Sequence, residues 1–352
     1  MENLAIKNLL GFLLPLLVST GLFCYYLFGY RDKSKRWGGT IVGITVIIFI
    51  TLFQNVFTGF LLPKDYWSLT LGVIILLIGG IWDDLEKINW LKQLFFQSAA
   101  ALVAVFVGDT INHVRLPGGT VLFFPPLIAA VLAYFWIIMV IEALNWLDGV
   151  DGLAGGVSLI TVFVLSALGL TAIVNQPSTT LLCLIIAGAL LGFLFFNFPF
   201  VLRRSGARPA RVQLGSAGIW ILGFLIAVIS IYSGGKVATT ALVLGIPIID
   251  FIFVSAERML AGKWPVFGGD RLHLHERLLD KGWKPVYIVM LFSSFSLLLG
   301  IGTLFTQTNG KLYLILPLGV FFMVLAFFYK TPIKLTQGRL WEEKTMPRLR
   351  KK

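Results

Sequence analysis

The chain has 352 residues, of which 57% are hydrophobic and 13% charged, with a formal net charge of +12. A soluble domain of that length carries about a quarter of its residues as Asp, Glu, Lys or Arg, so a water-soluble globular fold is excluded. The basic excess does not indicate nucleic-acid binding either, because no reading module or set of aromatic platforms accompanies it.

Apolar runs separated by short polar breaks follow one another along the whole chain. Each is close to the roughly 20 residues that an α-helix needs to cross a hydrocarbon core of about 30 Å. The predicted spans are 7–29, 40–62, 66–82, 93–108, 122–143, 153–175, 178–199, 215–233, 237–256, 285–306 and 311–329. The first apolar stretch, Leu9 to Tyr30, is too long for a signal peptide and lacks a small-residue cleavage site, so it is read as a span. Backbone N–H and C=O groups cannot go unpaired in lipid, so the spans are expected to be helical. The predicted fold is therefore an all-α integral membrane protein, one polytopic domain over residues 1–352 with about eleven transmembrane helices. Cys24 and Cys183 both lie in apolar runs and read as buried small residues rather than a disulfide framework.

Placing the N-terminus outside and alternating the breaks puts 24 of the 29 lysines and arginines on the inner side. They fall in residues 30–39, 83–92, 200–214, 257–284 and the C-terminal tail 330–352, which becomes cytoplasmic, whereas Lys7, Lys64, Arg115, Lys236 and Lys311 lie outside. This is the positive-inside pattern, and it suits a bacterial cytoplasmic membrane with an anionic inner surface. Asp83, Asp84, Asp148, Asp151, Asp270, His273 and His275 fall on the same inner side, which marks that face as the working one. Asp109, Asn112 and His113, on the outer side, read as solvated loop residues.

Four polar segments carry chemistry. In Gly79-Gly80-Ile81-Trp82-Asp83-Asp84, adjacent carboxylates at a helix end can serve a divalent cation and a proton or second ligand; the plainer reading is a charged interfacial turn. In Asn145-Trp146-Leu147-Asp148-Gly149-Val150-Asp151-Gly152, two Asp-Gly pairs three residues apart offer carboxylates one helical turn apart, in a glycine-rich turn that lets backbone N–H groups approach phosphate. The plainer reading there is a hairpin between spans. Asn197-Phe198-Pro199 precedes a basic stretch and then Gly215-Ser216-Ala217-Gly218, which is either an anion-binding helix start or a set of small residues for helix packing. The last segment runs from Asp250, an acid near the end of a span, through Arg258 to Asp270-Arg271-Leu272-His273-Leu274-His275-Glu276-Arg277. Its histidines can donate to phosphate oxygens. A zinc site would need more than a bare His-x-His.

Taken in this order, from about residue 79 to 283, the segments resemble the polyprenyl-phosphate N-acetylhexosamine-1-phosphate transferases. These include the initiating enzymes of enterobacterial antigen and teichoic acid and the phospho-MurNAc-pentapeptide translocase. The last loop is more similar to the GlcNAc branch than to the translocase, whose histidine cluster is denser. The resemblance implies transfer of a sugar-1-phosphate, GlcNAc-1-phosphate in that branch, from a UDP-N-acetylhexosamine to undecaprenyl phosphate, with release of UMP and initiation of a cell-envelope glycan. It implies Mg²⁺, with Mn²⁺ as a substitute, and a membrane homodimer. By resemblance, Asp83 and Asp84 serve acceptor activation and metal contact. Asp148 and Asp151 hold the metal, and Asn145, Asn197, Asp250, Arg258, Asp270, His273, His275 and Arg277 bind substrate.

The sequence departs from that pattern in one segment, which is preceded by extra sequence at about Phe200 to Arg208. Where the family usually carries a metal-binding Asp, this chain has Ser216, and Ile219 replaces the following Ser. A neutral hydroxyl is a poor ligand for a hard cation. Either other carboxylates hold the metal, or its occupancy differs, or the chain keeps only lipid-carrier or nucleotide-sugar binding. Two unrelated readings fail on spacing. An intramembrane metalloprotease needs a second His where Leu279 stands. A transporter places its polar residues at mid-membrane rather than at one face.

Overall fold

The computed structural model describes residues 2–29, 37–56, 63–115, 120–172, 174–198, 212–232, 236–262 and 272–306, and positions 310, 311, 313, 314, 316 and 318–321. The expected span 311–329 therefore lies largely outside the described residues. So do 200–211 of the basic loop, 263–271 with Asp270, and the tail 330–352.

The described chain is built from α1 (Glu2–Gly29), α2 (Gly38–Val56), α3 (Pro63–Glu86), α4 (Trp90–Val107), β1 (His113–Arg115), β2 (Val121–Phe123), α5 (Pro126–Leu147), α6 (Leu153–Leu170), α7 (Pro177–Asn197), α8 (Gly215–Ile231), α9 (Lys236–Val243), α10 (Gly245–Leu260), α11 (Leu274–Asp280) and α12 (Pro285–Phe305). Among the described residues eight helices are long and apolar enough to cross a membrane, and the bent pair α9–α10 makes up to nine. The apolar α8, of 17 residues, falls just below that length.

Local chemistry sets the helix ends. Asn89 caps α4, its side chain accepting from Lys92 N at 2.9 Å, and Gly108 closes the helix in the left-handed region. Pro126, Pro177 and Pro285 each stand at the start of a helix, where the missing N–H has no partner to lose. Helix α8 is the axis of the bundle. Every residue from Ala217 to Ile231 is buried, and α2, α3 and α5 pack around it. Lipid tails are as apolar as leucine, so close packing and interhelical hydrogen bonds hold such helices together. Trp136 on α5 donates its indole N–H to Ser230 Oγ on α8 at 2.9 Å. Gly80 lets α3 lie directly on the start of α8: a Cβ there would fall 2.3 Å from Ala217 Cα.

The structure corrects four expectations. The fold is not purely helical, because β1 and β2 form an antiparallel ribbon with Val114 opposite Leu122. Asp109 is not a solvated loop residue. It is 3% exposed and accepts the Ser68 hydroxyl, since the end of α4 folds back onto the start of α3. The span expected at 237–256 is broken at Leu244, with a bend of 74°. Pro247 supplies no N–H to continue the α9 ladder, so α10 starts afresh at Gly245. Finally, α3 and α5 run further than the apolar count suggested. Asp83 and Asp84 lie in the last turn of α3, at a helix end as expected, and Asn145 lies in that of α5.

Candidate functional site

Four helix ends meet at one end of the bundle: the C-termini of α3, α5 and α7 and the N-terminus of α8. They enclose a cavity of about 270 Å³ whose lining includes Asp84, Lys87, Asn145, Asp148, Asp151, Asn197 and Ser216. Six of the residues singled out by sequence thus share one space, joined by Lys87.

The turn Asp148–Gly152 is held from two sides. Gly152 has a φ of 82° and donates its N–H to Asn197 Oδ1 at 2.7 Å. The other end of the same amide, Asn197 Nδ2, donates to Val212 O at 2.8 Å. Asn197 therefore clamps the carboxylate turn to the segment leading into α8. On the opposite side His275 presses against the turn: a Cβ on Gly149 would lie 2.4 Å from its Nε2. Protein packed around Asp148, then the Asp151 and Asp84 carboxylates, raise its pKa against the pull of Lys87. Asp148 is open to water in the cavity, so the repulsion by its neighbours is the part of that shift that persists.

Asp83 and Asp84 face different ways and do different things. Asp84 lines the cavity and caps α8, accepting Ser216 N at 2.8 Å and Ala217 N at 3.2 Å. Asp83 is 1% exposed and is not part of the lining. It accepts the Ser216 hydroxyl and Gln93 Nε2 (2.9 Å), with Lys87 Nζ at 3.7 Å. Ser216 thus binds both acids at once, one through its backbone and one through its side chain.

A second layer of sequence-selected residues lies behind the turn. Asp250 accepts from His273 Nδ1 at 2.8 Å and from Leu274 N at 2.9 Å. The His273 ring packs on Trp146, centroids 4.8 Å apart, and is parallel to His275 at 5.9 Å. The Arg258 guanidinium lies 4.4 Å over the same Trp146 ring. Arg277 is paired with Glu257 at 2.6 Å and donates to Leu272 O, so it anchors α11 to α10 instead of lining the cavity. Asp270 lies outside the described residues.

Sequence reading overlooked Glu142, an acid inside the apolar run of α5, which receives Gln97 Nε2 at 2.6 Å. An acid three residues before Asn145 in a membrane span was the available signal. Among the described residues no group of three His, Cys, Asp or Glu side chains is gathered as a ready-made metal cage.

A helical membrane bundle with an oxygen-rich, mostly acidic cavity among its helix ends defines an integral membrane protein built to handle charged ligands at one face of the bilayer. The comparisons narrow this further. The glycosyl transferase family 4 profile matches residues 66–234. The chain is 30% identical over 286 residues to the phospho-N-acetylmuramoyl-pentapeptide-transferase of Dictyoglomus turgidum, covering 78% of this chain and 85% of that one. It is 27% identical over 310 residues to a probable undecaprenyl-phosphate N-acetylglucosaminyl 1-phosphate transferase of Bacillus subtilis, covering 84% and 81%. It is also 27% identical over 309 residues to the undecaprenyl-phosphate alpha-N-acetylglucosaminyl 1-phosphate transferase of Thermotoga maritima, covering 85% and 87%. The chain belongs to glycosyl transferase family 4.

Proposed function

We propose that the protein transfers N-acetylhexosamine-1-phosphate, in the first instance GlcNAc-1-phosphate, from its UDP-sugar to undecaprenyl phosphate, releasing UMP and beginning a cell-envelope glycan. The observation that carries this reading is the convergence of Asp84, Asp148, Asp151, Asn145 and Lys87 on one cavity at one end of the bundle. The acceptor stays in the bilayer and the donor is a soluble nucleotide, so chemistry belongs where the helix ends meet water.

The donor set fits a hard divalent cation. Three carboxylates stand against one lysine around the cavity, and Mg²⁺ is characteristically held by one or two carboxylates plus substrate phosphates and water. Asp148 and Asp151, with Asp84 at the edge, would hold it; Ser216 is already committed to Asp83. When bound, such a cation neutralises charge on the phosphate oxygens.

The acceptor phosphate, largely a dianion at neutral pH, is itself a competent nucleophile. Its oxygen bonds to the β-phosphorus while the bond from that phosphorus to the bridging oxygen breaks, and the electron pair leaves with UMP. Asp83 lies off the cavity with its oxygens bound to Ser216 and Gln93, so an aspartyl-phosphate intermediate has no support here. Lys87 stands in the wall as a cation for the charge developing on the leaving group. Asn145 and the layer of Arg258, His273 and His275 are assigned to the donor.

The test is UMP release by purified protein given UDP-GlcNAc, undecaprenyl phosphate and Mg²⁺. Turnover stopped by EDTA, and lost in the double variant Asp148→Asn, Asp151→Asn, is the expected result. Undiminished transfer by that double variant overturns the site assignment. No release with any of several UDP-sugars points to a carrier-binding role instead.

A further inference from the structure

The segment Val212–Leu214, which leads into α8, is held by each of its carbonyl groups. Val212 O accepts Asn197 Nδ2 from the end of α7 at 2.8 Å. Gln213 O accepts Gly38 N at 3.1 Å, and Leu214 O accepts Gly39 N at 2.8 Å. These last two donors open α2, where backbone N–H groups have no partner within their own helix. The approach is close: a Cβ on Gly38 would lie 2.3 Å from Gln213 O.

Val212 and Leu214 are buried, at 0% and 2% exposure. Gln213 between them is only half-buried and lines the cavity. Its carbonyl is turned to α2, so the group it offers to the cavity is its side-chain amide, which has no hydrogen-bond partner among the described residues. The amide stands beside the carboxylate turn, since the same Asn197 that holds Val212 O also holds Gly152 N. A pinned strap thus presents one neutral, uncommitted amide to the ligand space.

What such an amide can read follows from its atoms. It carries no charge, and Lys87 is the cation that the cavity wall offers to phosphate oxygens. The lipid acceptor brings only a phosphate on a hydrocarbon chain, so a neutral hydrogen-bonding group is left to the donor. A primary amide sets an N–H donor beside a C=O acceptor on one edge. The imide edge of uracil sets a C=O beside an N–H in complementary order, so the two meet through paired bonds, as glutamine meets a base edge in bidentate readout. The acetamido group of the sugar is a trans amide whose N–H and C=O point opposite ways, so one glutamine cannot engage both.

We propose that Gln213 is a specificity-determining residue that reads the uracil of the donor, its Oε1 accepting the imide N–H and its Nε2 donating to the adjacent carbonyl oxygen. This rests on the nucleotide-sugar reading above.

The test is calorimetric binding of UMP and of 3-methyl-UMP, in Mg²⁺, to the full-length protein in detergent, with thermal unfolding recorded alongside. Methylation at N3 removes the imide N–H and leaves the phosphate and ribose unchanged. Wild type is expected to bind 3-methyl-UMP about tenfold more weakly than UMP. Gln213→Ala is expected to bind UMP about tenfold more weakly than wild type does, to bind the two ligands within about threefold of each other, and to keep its unfolding temperature. A side chain that only packs would weaken both ligands alike and leave the methyl penalty intact. Equal binding of the two ligands by wild type overturns the proposal and needs no variant. So does a methyl penalty that survives undiminished in Gln213→Ala, which assigns the imide to another group. Steady-state KM values for UDP-GlcNAc and UDP-glucose give the remaining arm. A preference between those sugars that Gln213→Ala erases puts the amide on the acetamido group and overturns the base assignment. Wild type that binds neither nucleotide overturns the nucleotide-sugar reading itself, before any variant is compared.

Discussion

At the scale of single residues, Asn197 shows how much of the site hangs on one amide. Its oxygen takes Gly152 N–H and its nitrogen gives to Val212 O, both buried. Asn197→Ala leaves a donor and an acceptor unpaired, at about 1–3 kcal/mol each. A clear fall in unfolding temperature in detergent is expected, with transfer falling too because the Asp148–Asp151 turn loses its clamp. Ser216 makes a sharper case. Its hydroxyl donates to the buried Asp83, and an ionised Asp in its place cannot donate and adds a fourth carboxylate to the three, Asp84, Asp148 and Asp151, that line the cavity. Ser216→Asp therefore lowers the unfolding temperature in EDTA, and millimolar Mg²⁺ returns more stability to it than to wild type. Equal Mg²⁺ shifts in the two proteins would place the cation away from position 216. Asp148 and Asp151 were legible from their spacing, since a glycine-rich turn with repeated carboxylates has few bland explanations, whereas Asn145 entered through the resemblance. The engagement of Asp83 was not, because its partner Ser216 arrives 133 positions later in the chain. Glu142 was passed over because a single acid hardly alters the apolar character of a 22-residue helix.

At the scale of elements, the site exists because two helices approach at a glycine. Gly80 on α3 leaves no room for a side chain against the Ala217 backbone, and that contact seats Asp83 and Asp84 on the start of α8. Gly80→Ala forces the helices apart or strains α8, at about 1–3 kcal/mol. The two-sided grip of Ser216 on the acids loosens with it. Transfer is expected to fall more than stability, measured as UMP release against unfolding temperature; a proportionate loss of both would mean the contact matters for folding alone. Helix starts were readable where Pro or Asn marks them, as at Pro126, Pro177 and Asn89. The break at Leu244 was not, since hydropathy counts apolar residues and is blind to the missing N–H of Pro247. The ribbon β1–β2 was equally hidden, because three-residue strands are too short to show an alternating pattern.

At the scale of the whole molecule, the asymmetry of charge and the position of the cavity make one joint statement. The helix ends that enclose the cavity adjoin the breaks 83–92, 144–152 and 200–214, which charge counting places on the inner side. The ribbon β1–β2 joins the opposite ends of α4 and α5. On the proposed reading, a soluble nucleotide donor requires the cavity to face the cytoplasm and the ribbon to face outward. Cysteine labelling reads this directly. Cys24 and Cys183 are the free cysteines of the described residues, and the sequence holds two in all, so replacing both with Ala gives a silent background. Asn112, beside the ribbon, and Lys281, after α11, are both exposed. In intact cells a membrane-impermeant maleimide is expected to label Asn112→Cys at once and Lys281→Cys only after lysis. The reverse pattern would invert the topology. It would also turn the carboxylate cavity away from every cytosolic nucleotide sugar, leaving the transferase reading without a donor.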